Sequence, residues 1–150
     1  MEDIDRLAET VKAFCQFIER VPEAILVEQE WGPKEVLAHL VYHHENYVAQ
    51  VQAITSGISI PLPVGRFRDL NAQAIAASRG IPVAELLTRL RLADQRLRDL
   101  SRSCDIHEIS ITIKQGSKPW ILAELLSAIE SHIRNHQKEL RIRLIEEIVR

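Results

Sequence analysis

Apolar residues along the first twenty positions recur at helical spacing. Ile4, Leu7, Val11, Phe14 and Ile18 share one stripe and predict a helix over about residues 2 to 20. Pro22 then breaks the chain. The stretch EWGPKEVLAHLVYHHENYVAQVQAITSG predicts a turn followed by a long second helix. Pro33 suits its first turn and Gly57 its exit. Residues 58 to 67, with two prolines and a glycine, read as a connection. A shorter helix is expected from Arg68 or Asp69 to Ser78, closed by Gly80. Pro82 opens the next, which runs to about Leu100 with core positions Val83, Leu86, Leu87, Leu90, Ala93, Leu97 and Leu100. A long polar crossover follows over 101 to 118, and the β-branching of IHEISITI within it predicts a short extended piece. Pro119 is expected to start a last long helix that runs close to Arg150.

Four long amphipathic segments predict an all-α fold, a four-helix bundle with long crossover connections, in one domain spanning 1–150. The second crossover is too long for a tight helical hairpin and is expected to cover one end of the bundle. At 150 residues, 46% of them apolar, the chain can build a sizeable core. A net charge of -2 argues against a nucleic-acid partner, and the mixed charges of the last helix read as a solvated face. No apolar run reaches membrane-spanning length, and MEDIDRLAET is acidic rather than signal-like, so a cytoplasmic protein away from membranes is expected. Cys15, among Val11, Phe14 and Ile18, reads as a buried thiol; Cys104 falls in the crossover. Two such cysteines make neither a disulfide framework nor a CxxC motif.

The histidines carry the candidate chemistry. In SHIRNHQKELRIRL, His132 and His136 stand four apart, so both rings can reach one ion. His136 falls near the middle of the stripe of Leu122, Leu125, Leu126, Ile129, Ile133, Leu140 and Leu144, and His132 on its flank. Two imidazoles are too few for a catalytic zinc site, which usually has three protein ligands. The second helix offers His39, His43 and His44. Its apolar arc, Val36, Leu37, Leu40, Val41, Tyr47, Val48 and Ile54, places His44 inward, His43 near an edge and His39 further round. Periodicity therefore favours His44, which reads equally as a core histidine. HENYV lacks the second histidine of a zinc-protease HExxH. His107 reads as a surface loop residue, and Arg66 and Arg68 as surface charge.

WGPKEVLAHLVYHHENY and PWILAELLSAIESHIRNHQKELRIRL resemble the DinB/YfiT-like superfamily of four-helix bundles, which includes the N-terminal domains of thiol-dependent maleylpyruvate isomerases. The resemblance runs over nearly the whole chain and rests on the order and spacing of its elements. It implies a divalent-metal site of three histidines, His39 from VLAHL with His132 and His136 from SHIRNH. That assignment displaces the preference of the helical wheel for His44. Many relatives carry an aromatic residue near position 43; His43 there leaves a fourth ligand, a supporting donor or no role all open. Zinc, nickel and iron all suit imidazole ligands. A thiol cofactor belongs to the resemblance, and no motif of this sequence identifies one.

Three functions compete. The first is a small metal-dependent enzyme, a thiol-dependent transferase or isomerase acting on a small molecule. In it Glu35 would accept a hydrogen bond behind His39, Asn135 would line the mouth, and Tyr42 or Tyr47 would offer a phenol. The second is a non-catalytic ligand-binding or stress-associated bundle. The third is a homodimer, hinted at by Ala38, Tyr42 and Ala49 outside the core arc. Trp31 and Trp120, near the starts of the long helices, are expected to anchor those ends by packing.

Overall fold

The computed structural model describes residues 2–26 and 31–149, the last three of these by backbone alone. The turn expected from Glu30 and the helix end expected near Arg150 fall partly outside these residues. Five helices and one two-stranded ribbon form, so the described chain is all-α apart from that ribbon: α1 (Glu2–Arg20), α2 (Pro33–Thr55), α3 (Phe67–Ala77), α4 (Val83–Arg102), β1 (Ser110–Ile111), β2 (Trp120–Ile121) and α5 (Leu122–Val149). Among the described residues, no helix is long and apolar enough to cross a membrane.

Each helix end has a local cause. Glu2, Asp3 and Asp5 sit in the first turn of α1 and Arg20 in its last, matching the charges that the helix dipole favours at either end. Pro33 opens α2, where its missing N–H leaves no intrahelical bond unmade. At the exit, Gly57 takes φ +71. That turn lets the N–H of Ile58 reach back to the carbonyl of Ala53 at 3.0 Å, and the N–H of Gly57 to that of Ile54 at 3.3 Å.

The last helix begins three residues later than the expected start at Pro119. Trp120 and Ile121 pair instead with Ile111 and Ser110 in an antiparallel ribbon. The reason is the supply of hydrogen bonds. The first N–H groups of a helix have no intrahelical acceptor. Here Leu122 donates to the carbonyl of Ile109 at 2.8 Å and Ala123 to that of Ile106 at 2.9 Å. The crossover thus caps α5. It is tied down further where Gln115 donates its backbone N–H to the carbonyl of Pro63, and where the Asn46 amide donates to the carbonyl of Ile113, both at 2.9 Å.

One buried cluster joins all four long helices, with Leu7, Phe14 and Ile18 of α1, Leu37 of α2, Leu86, Leu90 and Leu97 of α4, and Leu122, Leu126 and Ile133 of α5 fully buried. The helices pack chiefly as α5 against α1, α1 against α4, and α4 against α2, with α3 leaning on α2. The remaining seam, between α2 and α5, is closed only sparsely.

Two parts of the α2 reading need correction. Ile54, placed on the core arc, is 50% exposed, and Val51 and Ala53 are buried in that turn instead. Ala38, read as outside the core, is buried and shares a crevice with Ile75 and Ser78 at the end of α3. Its small side chain serves packing within this chain. The wheel fails here because residues 36 to 41 are all buried: α4, α3 and α5 approach this part of α2 from different directions.

Two buried carboxylates are bonded across the helices. Asp94 of α4 accepts from Arg98 Nε at 2.9 Å and lies 3.4 Å from His44 Nε2 of α2. Glu130 of α5 accepts from Thr10 Oγ1 of α1 at 2.7 Å and from Arg134 Nε at 3.1 Å. Removing the Thr10 hydroxyl leaves part of a buried charge unbonded, which costs about 1–3 kcal/mol. Thr10→Val is therefore expected to lower the unfolding free energy measured by urea titration by that amount. Thr88→Val, which loses only an exposed bond to the Ala84 carbonyl, should change stability by less than about 0.5 kcal/mol. Equal losses in the two variants would show that the α1–α5 bond contributes nothing special.

Candidate metal centre

The sparse seam between α2 and α5 is where three imidazoles meet. His39 comes from the buried turn of α2, and His132 and His136 from successive turns of α5. One ligating nitrogen from each lies within 4.8 Å of those of the other two. The rings of His132 and His136 are 4.5 Å apart between centroids, and that of His39 is 5.4 and 4.7 Å from them. Two nitrogens each about 2.1 Å from a tetrahedral ion stand about 3.4 Å apart, so a pair at the 4.8 Å limit would close by about 1.4 Å on binding. Nε2 of His132 and Nε2 of His136 already face each other at 2.9 Å.

His39 carries the most informative feature. It is 2% exposed, and neither its Nδ1 nor its Nε2 has a hydrogen-bond partner. Buried polar side-chain atoms are nearly always bonded, because an unmade bond costs the full desolvation of the group. A neutral imidazole presents one lone pair and one N–H. An ion between α2 and α5 would take the lone pair and remove the larger part of that cost. The donor set therefore fits a divalent ion of the kind nitrogen ligands prefer.

The rings are also in the protonation state that ligation needs. Burial, then the neighbouring His43, His136 and His132, push His39 down to about 3. Burial, with His136 and His43, lowers His132 to about 4, and burial lowers His136. All three are neutral near pH 7, and the hydrogen bond between the Nε2 atoms of His132 and His136 is one that an ion would replace. His132 is exposed and His136 half-buried, so the group is closed on the α2 side and open on the α5 side.

The other histidines are held elsewhere. His43 Nε2 lies 2.5 Å from Asn71 Oδ1, which fixes it as the donor to α3. Its ring stacks on Tyr47 and meets Tyr42 and Phe67 edge-on. His44 is 1% exposed, as the wheel suggests, and its partner is Asp94. His107 is an exposed loop residue whose backbone N–H is bonded to Asp105. Burial raises the Tyr47 phenol to about 12 and the Cys15 thiol to about 11, and raises Cys104 as well, so none is an activated nucleophile.

Glu35 has a different role from the one expected behind His39. Its Oε1 accepts the backbone N–H of Trp31 at 2.9 Å. Trp31 takes φ +54, a left-handed conformation that costs a bulky residue about 1–3 kcal/mol. Glu35 and Arg143, which donates to the Trp31 carbonyl, hold it there. The indole then stands edge-on to His39 with centroids 5.6 Å apart. Trp31 is 41% and Trp120 37% exposed, so neither is the packed helix anchor that its position suggests. Asn135 is exposed, beside the open side of the triad in sequence. Asn71, Asp94 and the Trp31 clamp have no signal in the sequence beyond the four-residue spacing of Trp31 and Glu35 at a helix start.

No family model matches the chain, and comparison with curated proteins and with solved structures finds no match. The geometry itself yields a test. Below about pH 6.5 the unfolded chain protonates at position 39 while the folded chain does not, so stability must fall with pH between about 6.5 and about 3. Above that window His39 contributes no slope. Metal-free protein is expected to lose stability in urea titrations from pH 7.5 to pH 5. His39→Leu should show a shallower loss, the remainder coming from His132, His136 and His43. An unchanged slope would mean that His39 is not the desolvated ring described.

Proposed function

We propose that this chain is a divalent-metal-dependent enzyme with the DinB/YfiT-like four-helix-bundle architecture that its sequence resembles. His39, His132 and His136 would hold the ion, and a small molecule would be the substrate. The observation that carries the reading is the buried His39 ring, with both nitrogens unpartnered, facing an HxxxH pair across the one seam that apolar packing leaves sparse.

A bound ion would supply Lewis acidity there and would lower the pKa of a thiol or water that reached it. The chain's own residues do the rest. Burial keeps the His39 ring neutral, and the edge-on Trp31 walls off one side of it. Asn71 holds His43 by one nitrogen, beside the triad and outside it. The exposed side of His132 leaves approach from solvent. Burial raises the pKa of both Cys15 and Cys104, so in a thiol-dependent transferase or isomerase the reacting thiol would come from a second molecule. Zinc, nickel and ferrous iron each suit three imidazoles.

Elemental analysis of tag-free protein tests the reading. Native protein is expected to carry close to one divalent ion per chain, and a folded His132→Ala, His136→Ala double variant to carry none. His39→Ala should weaken binding by more than about 100-fold, since even outer partners of a ligand cost 10–100-fold. No uptake by native protein after exposure to zinc, nickel and ferrous iron would defeat the metal reading and favour a non-catalytic ligand-binding bundle.

A further inference from the structure

Beside the triad lies a cavity of about 210 Å³, lined by Trp31, Val36, His136, Glu139, Leu140 and Arg143. It sits between the start of α2 and the later turns of α5, and one triad histidine forms part of its wall. A larger hollow of about 1170 Å³ lies between the end of α1 and the start of α4, but it shares no lining residue with the triad and its rim carries the Glu19–Arg91 ion pair. The smaller cavity is the one continuous with the candidate chemistry.

Its walls are of two kinds. Val36 and Leu140 are core residues at 2% and 3% exposure, and the Trp31 indole completes an apolar interior. Glu139 and Arg143 stand one turn apart on α5 at its edge. The indole is there because the chain is held against its conformational preference: Trp31 is in the left-handed region, with its N–H on Glu35 and its carbonyl on Arg143. Strain of this kind persists only where surrounding bonds fix it, and it concentrates at ligand sites. Two independent observations, a cavity opening on His136 and a strained wall residue clamped from both helices, therefore meet at one place.

We propose that this cavity receives the apolar chain of a small-molecule substrate whose polar head faces the histidine triad. The inference rests on the metal-centre reading for the head and on the cavity for the chain. At roughly 30 Å³ for each non-hydrogen atom, about a water's share of liquid volume, the space takes about seven such atoms. That is below the usual range for a whole ligand site, so it suits a short alkyl chain or one small ring, with the head outside it.

Two arms test this. In the first, straight-chain alkyl hydroxamates of two to nine carbons are titrated into zinc- or nickel-loaded protein by calorimetry. Affinity is expected to rise about fourfold per methylene and then level off at about seven carbons. Leu140→Phe, which adds three non-hydrogen atoms, should bring the plateau down to about four carbons, and Val36→Phe combined with Leu140→Phe, which adds about seven, should remove the rise, in both cases with metal content unchanged. Loaded protein with no dependence on chain length would overturn the cavity proposal and leave the metal reading standing. In the second arm, metal-free Trp120→Phe protein retains Trp31 as its one tryptophan, and hexanol is titrated against its fluorescence. A saturable change that Val36→Phe combined with Leu140→Phe abolishes supports the cavity even if no metal binds. No saturable change overturns it whatever the ion does.

Discussion

Residues 36 to 41 of α2 are buried on every side, and the candidate site follows from that burial. Residues 36 to 41 include five apolar side chains and one imidazole. The apolar five find α4, α3 and the common core. The imidazole is left facing the seam toward α5, where helix packing is sparse and where the rings of His132, His136, His43 and Trp31 surround it. Elsewhere in this protein a buried polar group is bonded to its opposite: Asp94 to Arg98 and His44, Glu130 to Thr10 and Arg134. At His39 like meets like. His132 and His136 share one hydrogen bond between their Nε2 atoms, which leaves both nitrogens of His39 without a partner, and adding protons to the rings is opposed by burial and mutual repulsion. The three rings form a group that could hold a divalent cation.

Much of the fold was legible in the sequence because the long helices are punctuated. Proline begins α2, glycine ends it, and the stripes of α1, α4 and α5 are regular enough to name their buried faces. The reading failed where an element has more than one neighbour or where backbone bonding outweighs local preference. Ile54 was misplaced because the arc was drawn as one stripe on a helix that is buried all round at one end and one-sided at the other. Trp120 was drawn into the last helix because Pro119 is a good helix start, whereas the ribbon with Ile111 and the carbonyls of Ile106 and Ile109 set the start at Leu122.

For the candidate site, the HxxxH pair was visible as two imidazoles on or beside an apolar stripe. His39 was not visible from periodicity, which favoured His44; it came from the resemblance, and the structure brings it together with His132 and His136. The wheel was right that His44 is inward and could not know that Asp94 waits fifty residues away. Trp31 was the least legible. A tryptophan before a proline-led helix reads as a packing anchor, and only its backbone angle and its two backbone bonds distinguish it.

The triad also constrains when the site can exist. His39 and the HxxxH pair lie roughly ninety residues apart, so their meeting closes one of the longest loops in the chain. Contacts of that separation form late relative to local helices. A nascent or unfolded chain can offer an ion two adjacent imidazoles at most, and only a chain that has closed its α2–α5 seam offers three. Any ion held by all three would therefore bind the folded form far more tightly than its precursors, adding its binding free energy to the closed state alone.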